Sequence, residues 1–394
     1  MHDHTGGRPT RRASRLGFRA AAAIGAGALL AAGLAVSSAG AQTRHALRTT
    51  LACEVTDIGG INDHSFNASA YAGLKQAAAH PPAGTKIIAK FASSKQESDY
   101  NRYINGFIAL KCNIIITVGF LMTDQTWNAA VTHPKIHFAI VDNTNANPED
   151  GTNTIDHCPG PTCKKIATNL LGLTYNTNED GFLGGYEAAA TSKTHVVATY
   201  GGEQFASVTV YMDGYAEGIA YWNAHNPTKQ VNLLGWNFKT QMGTFINGSN
   251  PFNDPTAAAA DTNAFLSAGA STIFPVAGAD GLATNAAVKT WNSSHPTAKA
   301  NVEWVDTSGC VNDPADCSIF LSSVTKGVTA SVKAAALEQA AGKFKGTNYV
   351  GTLKNGGVVF IPNPHYVPAV PAAVLTKLSS LKSQIISGAI KVKT

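Results

Sequence analysis

Three aspartates each close an apolar run: Asp57, Asp142 after Phe138, Ala139, Ile140 and Val141, and Asp306 after Val305. A carboxylate at the end of a strand is placed to accept hydrogen bonds from ligand hydroxyls, each contributing about 1.5–3 kcal/mol. Aspartate is rarely buried without partners, so three of them at strand ends are not all core. Helix capping or turn formation is the competing use of each. Phe66 and Trp236 follow or end a strand and offer flat apolar faces to a ring. The competing reading makes Phe66 a helix-start core residue and Trp236 a surface residue. Lys326 is set to face Asp306 or a ligand oxygen, or else to stand in solvent. Asn67 offers a side-chain amide, and Gly278 offers backbone groups.

This is the chemistry of recognition rather than turnover. The chain has no G-x-S-x-G elbow, P-loop or H-E-x-x-H, and no G-x-G-x-x-G follows its first strand. A nucleoside hydrolase also uses aspartates at strand ends, but it packs several around calcium. The opening stretch here offers only Asp57 and Asp63, separated by a glycine turn. The 12 histidines show no ligand spacing, so neither a metal nor a cofactor is expected. A DNA-binding repressor would carry a helix-turn-helix where this chain carries an export signal.

That signal is Arg8, Arg11, Arg12, Arg15 and Arg19, then an apolar run over 20–36, then Ala39, Gly40 and Ala41 as a small-residue cleavage site. Residues 1–41 are expected to be a signal peptide, with an uncleaved anchor as the rival and with either Sec or twin-arginine export. They carry five Arg and one Asp, +4 of the formal +5. The remainder is near +1, which gives no reason to expect nucleic acid as a partner.

Six cysteines follow the signal, an even number that implies disulfides in an exported chain. Cys158 and Cys163 flank a Pro/Gly loop that can close on itself, and Cys310 can close on Cys317 in the same way. That leaves Cys53 with Cys112, both at the start of apolar strands expected to be neighbours in a parallel sheet.

The elements that must position these groups alternate in type. Strands are expected at 86–91, 114–119 and 137–141, with helices at 98–111 and 123–131 between them. Residues 144–165 read as a loop and 166–175 as an extended crossover. The pattern then restarts, with helices at 179–190, 208–225, 261–268 and 284–291 and strands at 196–200, 231–236, 272–276 and 301–305. A helix over 322–341, a short strand after Gly356 and Gly357, and a last helix over 372–386 complete the chain. Such alternation gives doubly wound parallel sheets. Two such lobes about a cleft form a receptor that closes by a hinge. Lobe I is expected to hold 42–174 plus 318–345, and lobe II 175–317 plus 346–394.

Asp57, Gly59, Gly60, Asp63, Ser65, Phe66 and Asn67 reproduce the run D-x-G-G-x-x-D-x-S-F-N. This resembles the opening of the basic membrane protein (BMP) family, the PnrA-like solute-binding proteins of nucleoside ABC transporters. The likeness continues in Phe138 to Asp142, in the run from Gly181 to Ala189, in Phe274 to Gly278, and in Val305 and Asp306. It continues further in Ser322 to Lys326, in Gly342 to Gly346, and in Gly356 to Val358. The chain departs from the pattern in lacking a lipobox cysteine after the signal. Ala279 stands where a second glycine is usual, Thr307 to Cys310 replace x-D-Q, and a longer loop spans 238–256.

The resemblance implies a periplasmic-binding-protein-like type I fold and an extracytoplasmic, monomeric receptor. Such a receptor closes on a purine nucleoside and delivers it to an ABC permease. It implies stacking on Phe66 and Trp236, with Asp57, Asp142, Asp306, Lys326, Asn67 and Gly278 around the ligand. A receptor for another solute such as a sugar, or a sensor that does not transport, is the alternative.

Overall fold

The computed structural model describes residues 47–145, 167–246, 248 and 250–393. The expected signal peptide and the Cys158–Cys163 loop lie outside them.

Short aliphatic runs between turn residues make strands buried on both faces, as parallel sheets require. The first sheet collects β1 (Arg48–Thr56), β2 (Thr85–Ala92), β3 (Ile114–Val118), β4 (His137–Val141) and β5 (Leu170–Tyr175). Its helices are α1 (Phe66–Ala79), α2 (Ser98–Ala109) and α3 (Thr123–Thr132). The chain then passes to the second lobe. There α4 (Thr177–Thr191), β6 (Val196–Gly201), α5 (Ala206–His225) and β7 (Asn232–Leu234) precede a small hairpin, β8 (Trp236–Asn237) with β9 (Met242–Gly243). Next come α6 (Pro255–Ser267), β10 (Thr272–Val276), α7 (Gly281–Ser294), β11 (Asn301–Asp306), α8 (Gly309–Asn312) and β12 (Phe320–Lys326). The chain returns to the first lobe with α9 (Val328–Ala341) and β13 (Asn348–Gly351). It ends in the second with β14 (Val358–Pro362) and α10 (Ala372–Ser387). The sheet orders are β13-β5-β4-β3-β1-β2 and β14-β12-β11-β10-β6-β7. Within these two sheets every pairing is parallel except β12 with β14.

The boundaries differ from expectation at both late crossings. Residues 322–326 are strand, not helix: β12 is hydrogen-bonded to β11 on one side and β14 on the other, and all its residues are buried. The helix begins only at Val328, after Gly327, so the return falls at 326–328 rather than 318. The next crossing follows β13, which extends the first sheet beside β5. The strands of the first sheet and the helices α1, α2, α3 and α9 therefore come from 48–175 and 328–351.

Glycines set the helix contacts. A Cβ on Gly185 would stand 1.9 Å from the Tyr215 carbonyl, and one on Gly218 would stand 2.1 Å from that of Phe182, so α4 and α5 touch backbone to backbone. Between α1 and α9, a Cβ on Gly73 would lie 2.5 Å from the Thr329 carbonyl. Cys53, in the middle of β1 rather than at its start, forms a disulfide with Cys112, which stands in the turn between α2 and β3 just before that strand, with Cα atoms 6.2 Å apart, and Cys310–Cys317 closes the loop after β11.

The second lobe buries two glutamates, and among the described residues neither has a cation beside it. Glu303 on β11 accepts the Ser322 hydroxyl at 2.8 Å, and burial pushes its carboxyl up to about 8. Burial, and then Glu303, hold Glu187 on α4 well above the usual carboxylate range, and the Tyr215 and Tyr366 phenols face the pair. The folded protein therefore keeps protons that the unfolded chain releases above the ordinary glutamate value of 4.5. Stability must fall as pH rises from that value toward 8. Glu303→Gln is expected to raise the melting temperature at pH 8 and to change it far less at pH 5. An equal effect at both pH values would show that Glu303 does not carry the proton.

Candidate functional site

In open α/β sheets ligands sit beyond the carboxyl ends of the strands. Here both sheets point those ends at one another. Asp57 follows β1, Gly119 follows β3 and Asp142 follows β4, while Gly278, Asp306 and Lys326 stand at the ends of β10, β11 and β12. They enclose a cavity with about 540 Å³ of unfilled space, its mouth included. Asp142 and Asp306 adopt left-handed backbone angles, φ 71° and 67°. Such conformations concentrate at ligand clamps.

Lys326 is the hub. Its Nζ lies 2.7 Å from Asp142 Oδ2 across the cleft and 3.5 Å from Asp306 Oδ1 within its own lobe. It also stands over the rings of Phe66 and Tyr211, at 4.9 and 5.1 Å from their centroids. Burial draws the ammonium down, but the two carboxylates outweigh it and hold Lys326 above its ordinary value. Burial pushes the Asp142 carboxyl up, and Lys326 opposes that. The Tyr211 hydroxyl donates to Asp306 at 2.9 Å, which fixes the carboxylate from the helix side.

The glycine turn after β1 builds the opposite wall. Asp57 accepts from Asn67 Nδ2 at 2.7 Å and from the Gly59 amide at 2.9 Å. Burial nevertheless pushes its carboxyl up to about 7. Asp63 is turned inward and accepts from the amides of Ser65, Asn67 and Ala68, so it caps α1. This carboxylate serves the helix, and Asp57 is left to the cavity.

The structure brings together Asp57, Phe66, Asn67, Asp142, Gly278, Asp306 and Lys326, all of which line the cavity. It does not bring Trp236 there. The indole is buried in the second lobe, its Nε1 donating to Asp213 on α5 at 2.9 Å and its ring meeting Phe245 edge-on. The aromatic walls of the second lobe are Phe205, Tyr211 and Phe252 instead. Phe252 lies in the long loop before α6, with its ring packed on Gly202 and its Cβ side near Gly278. Phe120 of the first lobe meets Phe205 of the second with ring centroids 4.6 Å apart and closes one edge of the cleft. Phe205 and Tyr211 sit at the start and first turns of a helix, where sequence alone reads them as packing residues. The visible signal for Phe252 was an aromatic in a loop of unexpected length.

Two doubly wound lobes facing each other across such a cavity make this a periplasmic-binding-protein-like, type I solute receptor. The fold is that of an ABC-transporter solute-binding protein from Aeropyrum pernix K1, with a TM-score of 0.68 at 19% identity, covering 87% of this chain and 92% of that one. The Bmp family, ABC transporter substrate-binding protein PnrA-like, matches residues 51–394, and the chain belongs to it. It is similar to the CD4+ T-cell-stimulating antigen of Listeria innocua, 26% identical with 86% of each chain covered. It is also similar to the ABC transporter nucleoside-binding protein BmpA of Lactococcus lactis, 28% identical over 77% of this chain and 79% of that one. Proteins of this family are extracytoplasmic receptors that bind small molecules and work with a membrane permease.

Proposed function

We propose that the cleft binds an unphosphorylated purine nucleoside and that the chain is an exported, monomeric receptor delivering it to an ABC permease, with no catalytic step. One observation carries this reading: aromatic faces from both lobes, Phe66 and Phe252 among them, stand in one cavity with the Asp142–Lys326–Asp306 cluster. A base needs such faces, and ribose hydroxyls need such acceptors. The nucleoside-binding name of the Lactococcus lactis relative supports the same assignment. Besides the helix-capping Asp63, the carboxyl groups of Asp57, Asp142 and Asp306 line the cavity with a single lysine among the described residues, so a phosphate would meet more carboxylate than cation.

Calorimetry with adenosine, guanosine and inosine, against ribose, glucose and adenosine monophosphate, tests the proposal. At least one nucleoside is expected to bind, and the monophosphate to bind at least tenfold more weakly. Binding of ribose or glucose with no nucleoside bound would replace this reading by a sugar receptor.

A further inference from the structure

The cleft has a second edge, bridged by hydrogen bonds rather than by an aromatic pair. A side pocket lined by Ser69, Thr307, Asn312 and Thr329 opens there and shares Asp306 and Lys326 with the main cavity. At this edge the turn carrying His64 and Ser65 in the first lobe meets the loop after β11 in the second. The Ser65 hydroxyl donates to the Val305 carbonyl at 3.0 Å. The Thr307 hydroxyl accepts from the indole Nε1 of Trp304 at 3.1 Å, which leaves its one proton for the His64 carbonyl at 3.4 Å. The His64 ring, through Nδ1, reaches the Asn312 carbonyl at 3.0 Å.

Two features hold these partners in place. His64 sits at φ 55°, a left-handed angle costly for a residue with a Cβ and common at clamps and switches. Asn312 lies within the loop closed by the Cys310–Cys317 disulfide, and the Trp304 that orients Thr307 is fully buried. None of His64, Asn312, Cys310 or Cys317 lines the main cavity.

We propose that this contact is a latch: His64 and Thr307, with the disulfide-closed loop that carries Asn312, are positioning residues that hold the lobes closed and set how long a ligand stays. The proposal rests on the cleft being the ligand site, and it requires no direct contact with the ligand. Replacing Thr307, Ser308, Gly309 and Cys310 by another sequence would then change residence time without changing the cavity's own walls.

The test uses the full exported chain. His64→Asn removes the ring contact while tolerating the left-handed backbone. Cys310→Ser with Cys317→Ser frees the loop. His195→Asn is the control, because His195 has φ 60° and is exposed but lies in the second lobe away from the cleft. Small-angle scattering without ligand should give a larger radius of gyration for the first two variants than for the parent and the control. Stopped-flow release of adenosine, guanosine or inosine should be about two- to tenfold faster in those two variants, the range that one or two net hydrogen bonds set. Parent-like scattering for His64→Asn, folded by circular dichroism, would overturn the latch, whatever the disulfide variant does. If the parent binds no nucleoside, the nucleoside proposal fails while the scattering comparison still decides the latch.

Discussion

Lys326→Met is expected to lose about 3–5 kcal/mol of stability at pH 7, because it leaves buried carboxylates without their cation. Asp142 and Asp306 both lean on that one ammonium, at 2.7 and 3.5 Å, and the side chains are 6–8% exposed, too dry for water to replace it. The loss should shrink as pH falls, since burial already pushes Asp142 toward protonation and a neutral carboxyl needs no partner. Adding Asp142→Asn to Lys326→Met should recover part of the loss. Urea unfolding of the single and double variants at pH 5 and 7 measures this. A loss below about 1 kcal/mol at pH 7 would mean the cluster behaves as a solvent-screened pair.

Phe252→Ala should weaken nucleoside binding by about 1–3 kcal/mol, one to two decades in affinity, and cost less stability than loss of a fully buried ring, because Phe252 is only half-buried. Trp236→Ala should do the reverse. It removes a buried indole and its bond to Asp213, costing about 3–5 kcal/mol of stability, while the folded fraction keeps its affinity. Calorimetry on both variants, corrected for the folded fraction from thermal unfolding, separates the two. An unchanged affinity in Phe252→Ala together with a tenfold loss in Trp236→Ala would reverse the assignment.

The contrast between these two aromatics marks where the sequence is legible. Strands such as β4 and β10 are read to the residue because an aliphatic run between turn residues has few other uses. The strand-end aspartates are legible for the same reason, as each follows such a run directly. Trp236 closes the strand expected at 231–236 but opens β8 in the fold, and which way its indole turns depends on an acceptor, Asp213, on a helix distant in sequence. Phe252 has no periodic context at all, and only the folded loop delivers it to the cavity. Residues 322–326 carry Ser, Ser, Val, Thr and Lys, which suit a strand, yet they run straight into a helical pattern. Only the pairing with β11 and β14 separates the two elements. β13 is a four-residue edge strand, short enough to leave no signal of its own.

The crossings at 326–328 and after β13 bear on the order in which the chain is made. The surface of α1 around Gly73 is covered by α9, and β13 is the edge strand beside β5, but both are synthesised only after β12 has emerged. The first lobe therefore waits for nearly the whole second sheet before it can close its core. Its native contacts span long stretches of chain, which slows folding. Neither lobe is a contiguous product of translation, so a polypeptide cut at 175 leaves one fragment without the cover of α1 and the other with a helix and an edge strand that have no sheet to join.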